Sequence, residues 1–238
     1  MGRILIRTER PTVALAGIHR LAATALLVLV AAPCAAQTAP GGNAPKASAP
    51  AAAPAAAPAG GGPVDVSGIV HVCSSCHGPG GRSISSTFPR LAGQQKDYID
   101  TQLKAFRDHT RADPHAQTYM WGMAARLTDP LIDGIAAYYS GQPPVLGTPD
   151  ASPQAAAGRA IYTEGIPAQS VPACLGCHGE HAEGNAAIPR LAGQHSAYIE
   201  RQLAAFASMA RANEIMHETS KTLTAEQTRD AAAFVATQ

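Results

Sequence analysis

Two segments of this chain bring the same reactive residue types together at the same spacing: Cys73, Cys76 and His77, and again Cys174, Cys177 and His178. Two thiols three positions apart, followed at once by a histidine, can form two thioether bonds to one porphyrin, and the imidazole then supplies a proximal nitrogen to its iron. Two copies imply two covalently bound haem c groups. Cys-x-x-Cys also serves as half a zinc site or as a redox disulfide. Zinc would need further ligands at regular spacing, and two cysteine pairs a hundred residues apart make one shared site awkward. A thioredoxin-like motif would sit between a strand and a helix, and strand signals are nearly absent here.

The second axial position on each iron calls for another donor. Met120 lies eight residues before Thr128, and Met216 lies eight residues before Thr224. This matched spacing selects them from five methionines, since Met123 and Met209 have no counterpart in the other half and Met1 starts the chain. An isolated methionine is more often core packing; the symmetry favours ligation, which raises the reduction potential. His109, His115 and His217 are the rival donors, but none recurs at a matched position. The imidazoles of His77 and His178 need an acceptor for the other ring nitrogen, and the loops before Leu91 and Leu191 offer backbone carbonyls.

The elements that must position these groups are duplicated. Pro89-Arg90-Leu91-Ala92-Gly93-Gln94, Tyr98-Ile99, Gln102-Leu103 and Ala105-Phe106 recur a hundred residues later as Pro189 to Gln194, Tyr198-Ile199, Gln202-Leu203 and Ala205-Phe206. Apolar periodicity predicts helices over Lys96–Asp108 and Ser196–Met209. A last helix closes each half, the first after Thr128 with Pro130 in its opening turn, the second after Thr224 with Gln227 completing a capping box. Leu131, Ile135 and Tyr138 mark the apolar stripe of the first, and Ala231, Phe234 and Val235 that of the second. Shorter helices are expected to lead into the cysteines, around 66–72 and 155–163. The fold class is all-α.

Of the 238 residues, 1–36 have the pattern of a signal peptide: Arg3, Arg7, Arg10 and Arg20, an apolar run from Leu21 to Ala32, then small residues to Ala36. Cleavage after Ala36 leaves only the four motif cysteines; Pro33 before Cys34 argues against lipid attachment there. Residues 37–62 form an Ala/Pro/Gly-rich flexible leader with one charge, Lys46. Domain 1 is expected over 63–142, a linker over 143–154 and domain 2 over 155–238. Without residues 1–36 the chain keeps fourteen basic and sixteen acidic groups. No basic tract points to nucleic acid.

The two Cys-x-x-Cys-His-Gly motifs, the paired Pro-Arg-Leu-Ala-Gly-Gln segments and the methionines before capped helices resemble the dihaem cytochrome c4 family from about residue 66 onward. The resemblance implies two tandem cytochrome c-like domains related by pseudo-two-fold symmetry, with haem edges facing across the interface. It implies His77 with Met120 on one iron and His178 with Met216 on the other, and the carbonyls of Pro89 and Pro189 as acceptors for the two imidazoles. Arg90 and Arg190, with Tyr98, Tyr198, Gln102 and Gln202, fall near the propionates or the interface. Two departures stand out. Met120 is followed by Trp121-Gly122 whereas Met216 is followed by His217-Glu218, and the leader lies outside the family pattern. The implied role is a periplasmic, non-enzymatic electron shuttle between a quinol-oxidising complex or dehydrogenase and a terminal oxidase, with membrane association only through those partners. A cytochrome subunit of a larger dehydrogenase or oxidase is the alternative; matched methionines argue against a peroxidase-like enzyme.

Overall fold

The computed structural model of the protein describes residues 64–238. The expected signal peptide and leader, 1–36 and 37–62, lie outside the described residues. The first half contains α1 (Ser67–His77), α2 (Lys96–Arg107), a π-type turn (Ala116–Met120) that runs into α3 (Trp121–Ala124), and α4 (Asp129–Ser140). The second contains α5 (Pro153–Glu164), α6 (Leu175–His178), α7 (Ser196–Ala207), α8 (Glu214–Ser220) and α9 (Ala225–Ala236). Among the described residues β-pairing is limited to two isolated bridges, Ile166 with Val171 and Asn185 with Ile188. The fold is all-α.

Each half has its own core. In α2, Ile99, Leu103 and Phe106 recur at helical spacing and bury one face against Ile132, Ile135, Ala136 and Tyr139 of α4. Complete burial of a side chain the size of Ile132 is worth roughly 2 kcal/mol. The α4 stripe is rotated by one position from the sequence expectation: Ile135 is shared, but Ile132 and Tyr139 are buried where Leu131 and Tyr138 are only half-buried. Two adjacent tyrosines and two adjacent branched aliphatics fit either face, so periodicity alone does not choose. In the second half α9 packs on α5 and α7, and Phe234, Val235 and Ala232 meet Tyr162 and Ile199.

The caps differ between halves. Thr224 forms the full capping box with Gln227, its hydroxyl accepting from Gln227 N at 3.1 Å while Gln227 Oε1 accepts from Thr224 N at 2.9 Å. Thr128 has the extended backbone of an N-cap but makes no side-chain cap bond. The first Cys-x-x-Cys-His segment forms the end of α1, as part of one continuous helix. The second does not continue α5, which stops at Glu164; Gly165 to Ala173 intervene and the motif closes on the separate short α6.

The Pro-Arg-Leu-Ala-Gly-Gln segments dock each half's loop on its last helix. Gly93 N donates to Tyr139 O at 2.9 Å and Gly193 N to Val235 O at 3.0 Å. Both glycines have positive φ, 67° and 68°, and the connecting segment crosses directly over them. A Cβ on Gly93 would lie 2.7 Å from Pro144, and one on Gly193 would lie 2.1 Å from Val145 O. The connection between halves therefore lies on both repeat loops at once.

Candidate functional site: two cysteine–histidine centres and the contact between them

His77 is the last residue of α1 and His178 the last residue of α6, so each helix end presents its imidazole inward. Both rings are buried. His77 Nδ1 lies 2.9 Å from Pro89 O, and His178 Nδ1 lies 3.1 Å from Pro189 O. These bonds fix Nδ1–H as the donor and leave Nε2 as the nitrogen able to bind a metal. Burial lowers both histidine pKa values, with the proline carbonyls opposing it, so each imidazole is neutral and its lone pair available.

The thiols are set as inner and outer pairs. Cys73 and Cys174 are half-buried, while Cys76 and Cys177 are exposed. Burial raises the Cys73 thiol and pushes that of Cys174 up to about 11. A redox-active cysteine pair or a zinc site depends on an accessible thiolate, which these environments disfavour. Among the described residues no three His, Cys, Asp or Glu side chains gather as a metal site.

Met120 ends the π-type turn and packs half-buried against the first core. Met216 is half-buried in α8, whose N-cap Asn213 accepts from Met216 N at 2.9 Å. Met123 and Met209 are exposed, Met209 at the left-handed residue just past α7 (φ 60°). The rival histidines have other partners. His109 is exposed and stacks on Trp121 at 4.1 Å, His115 lies beside Tyr119, and His217 Nδ1 is 3.0 Å from Phe206 O. The dissimilar residues after each methionine do matched work, because Trp121 Nε1 donates to Arg111 O at 2.9 Å while His217 reaches Phe206 O. Trp121 ties its methionine segment to the stretch after α2, and His217 ties its own to the last turn of α7.

Between the centres lies a reciprocal polar contact. Gln94 Oε1 accepts from Arg190 N at 2.7 Å and Gln94 Nε2 donates to Arg190 O at 2.9 Å; Gln194 does the same to Arg90 at 2.9 and 3.0 Å. Arg90 also donates to Ser83 O and, by a short contact, to Gly193 O. Arg190 Nε, in contrast, is buried without a partner.

The sequence reading did not single out Arg111 and Arg211, which form the centre of this contact. Arg111 donates to Gln102 and Gln202, both at 2.8 Å, and to Tyr198 OH at 3.4 Å. Arg211 donates to the same two glutamines, both at 2.6 Å, and to Tyr98 OH at 2.9 Å. Asp113, buried and 2.8 Å from Arg111 Nε, is the carboxylate paired with this cluster; its counterpart Asn213 is the α8 cap. The signal was present, since Arg111-Ala112 and Arg211-Ala212 share the hundred-residue offset of the Pro-Arg-Leu-Ala-Gly-Gln repeat.

The donor set at each centre fits a covalently attached porphyrin: two thiols, one neutral imidazole with Nε2 available, and an apolar wall from the adjoining core. The unpartnered Arg190 Nε supplies a buried cationic donor that a propionate carboxylate would satisfy.

The cytochrome c family model matches residues 68–140 and 155–238. A cytochrome c-552 from Acidithiobacillus ferridurans is 40% identical over 165 residues, covering 68% of this chain and 72% of that protein. A thiosulfate dehydrogenase electron acceptor from Thiomonas intermedia (strain K12) is 35% identical, covering 70% of this chain and 78% of that one. The solved structure of a cytochrome c4 from Acidithiobacillus ferrooxidans superposes with a TM-score of 0.67 at 39% identity, over 70% of this chain and 98% of the other. With two such halves, each centred on a Cys-x-x-Cys-His motif, the chain belongs to the cytochrome c family, in its dihaem cytochrome c4 branch, and is an electron-transfer protein with two covalently bound haem c groups.

Proposed function

We propose that the protein is a periplasmic electron shuttle, taking electrons from a quinol-oxidising complex or a dehydrogenase and delivering them to a terminal oxidase. The observation that carries this is the matched construction of the two halves. Each has a neutral imidazole locked by a proline carbonyl, and each has one half-buried methionine eight residues before the N-cap of its closing helix. Haem bound there supplies a one-electron couple on its iron. His77 and Met120 in one half, and His178 and Met216 in the other, would hold the two irons. With two protein donors held on packed elements at each centre, the group would supply that couple with little rearrangement. Cys73, Cys76, Cys174 and Cys177 would tether the groups, and Arg90 and Arg190 lie at the contact between the halves.

Among the described residues no helix is long and apolar enough to cross a membrane. Respiratory membranes washed free of small cytochromes test the reading. Adding the reduced holoprotein should restore oxygen uptake, and no uptake at saturating protein would sink it. A second reading, service to one dehydrogenase as its acceptor, is favoured by the likeness to the Thiomonas protein. It predicts rapid reduction by such an enzyme and its substrate without quinol.

A further inference from the structure

The two halves present different surfaces beside their centres. In the first, Tyr119 and Phe88 make an edge-on contact at 5.2 Å, and Phe88 in turn meets the His77 ring at 6.1 Å. Phe88 precedes Pro89, the acceptor for His77, and Tyr119 precedes Met120. The residues in these places in the second half are Ile188, before Pro189, and Ile215, before Met216. Both are exposed, Ile215 at 73%. Tyr119 is also exposed, so both halves carry an apolar side chain at the surface here; what differs is that the second half has two exposed aliphatics at these places and no aromatic ring, with Ile215 the most open of them.

Charge changes at the same place. Glu214 and Glu218 are exposed and flank Ile215 on α8, four residues apart and hence on one side of the helix. The matched first-half positions are Thr118 and Gly122. Lys221 offsets Glu218 in part, at 2.5 Å. Glu180 and Glu183 follow the second motif, and the Glu183 carboxylate lies close over Gly179, next to His178. Residues 150–238 carry nine acidic and six basic groups, while 63–142 carry seven of each.

We infer that the Ile188–Ile215 surface of the second half, with its glutamate rim, docks a small redox protein that presents an apolar patch ringed by lysine or arginine. This rests on the electron-carrier reading and specifies which half meets a basic partner. Isolated exposed aliphatics are ordinary. Two at the matched positions flanking one redox centre, beside a one-sided charge, are the pattern of an apolar contact with an electrostatic rim. The apolar pair brings the surfaces close enough for transfer, and the rim steers the encounter and sets its salt dependence.

The test uses reduced holoprotein in a stopped-flow instrument against two oxidants, a lysine-rich single-haem cytochrome c and uncharged benzoquinone. With the basic protein, the wild-type rate should fall about tenfold from low to high salt as the rim is screened. E214Q/E218Q should lower the low-salt rate about fivefold and flatten that dependence, since rim charges act chiefly on the association rate. Ile215→Ser should slow transfer at every salt concentration. Benzoquinone should oxidise all variants at one rate. Asp133→Asn, which removes an exposed carboxylate from α4 of the first half, should behave as wild type with both oxidants. An unchanged rate in E214Q/E218Q, or an equal loss in Asp133→Asn, overturns the assignment. Failure of the wild type with both oxidants would instead overturn the electron-carrier reading beneath it.

Discussion

At the scale of single residues, the methionine assignment and the buried Asp113 have distinct readouts. If Met120 and Met216 are the axial sulfurs, Met120→Ala and Met216→Ala should each remove about half of the weak far-red absorption of the ferric protein. A full band in either variant would reassign the ligand. Asp113 bears on stability. Burial pushes its carboxyl up, but the Arg111 guanidinium at 2.8 Å outweighs that and holds it below 3.8. A carboxyl that binds its proton more weakly when folded contributes fully above its unfolded pKa, and the contribution is lost as pH falls through the lowered folded value. Urea midpoints should therefore decline as pH drops from about 5 toward 3 in the wild type, and less steeply in Asp113→Asn. An equal slope in both would remove Asp113 from the acid response. The cysteines and histidines were legible in sequence because their chemistry needs fixed types at fixed spacing. Arg111 and Arg211 were not, because an arginine pair has no motif of its own. Its meaning comes from one glutamine and one tyrosine of the opposite half for each arginine, Gln202 being 91 residues from Arg111 and Tyr98 being 113 from Arg211.

At the scale of elements, helix existence was more legible than helix rotation. Helices α2 and α7 follow their periodicity, but the adjacent Leu131-Ile132 and Tyr138-Tyr139 pairs left the α4 stripe open, and packing on α2 settled it. The helix expected over 155–163 ends where α5 does, at Glu164, whereas the one expected over 66–72 runs on through the first motif to His77. Helices α2 and α7 both end on a left-handed residue that is not glycine, His109 at φ 57° and Met209 at φ 60°. A side chain there costs roughly 1 kcal/mol relative to glycine. Met209→Gly, at an exposed position, should therefore raise the thermal midpoint by a few degrees. A lower midpoint would mean that the Met209 side chain contributes packing its exposure conceals.

At the scale of the whole molecule, each apolar cluster stays within its own half, and short polar contacts run between the halves. Gln94 and Gln194 each close a two-bond ring with the opposite backbone, and each neutral bond of this kind is worth about 1 kcal/mol net. Gln94→Ala/Gln194→Ala should leave each core intact and split calorimetric unfolding into two transitions. One unchanged transition would place the coupling in the arginine cluster instead. The repeat announced two domains in sequence. It did not announce which side chains face across, since a hundred-residue offset relates like residues and not contacting ones.

The contact has one more property. Residue 94 meets 190 as 194 meets 90, and 111 meets 202 as 211 meets 102. Such exchange of positions is the rule of an isologous surface, which is complementary to itself. The chain has the form of a two-fold homodimer whose subunits have been joined end to end. Joining removes the concentration dependence of pairing and releases each half to change alone. Arg201, which reaches Ser86 and Thr87 from the position held by Thr101 in the first half, records that release, whereas His195 on Ser83 O keeps its mirror contact in Gln95 on Glu183 O.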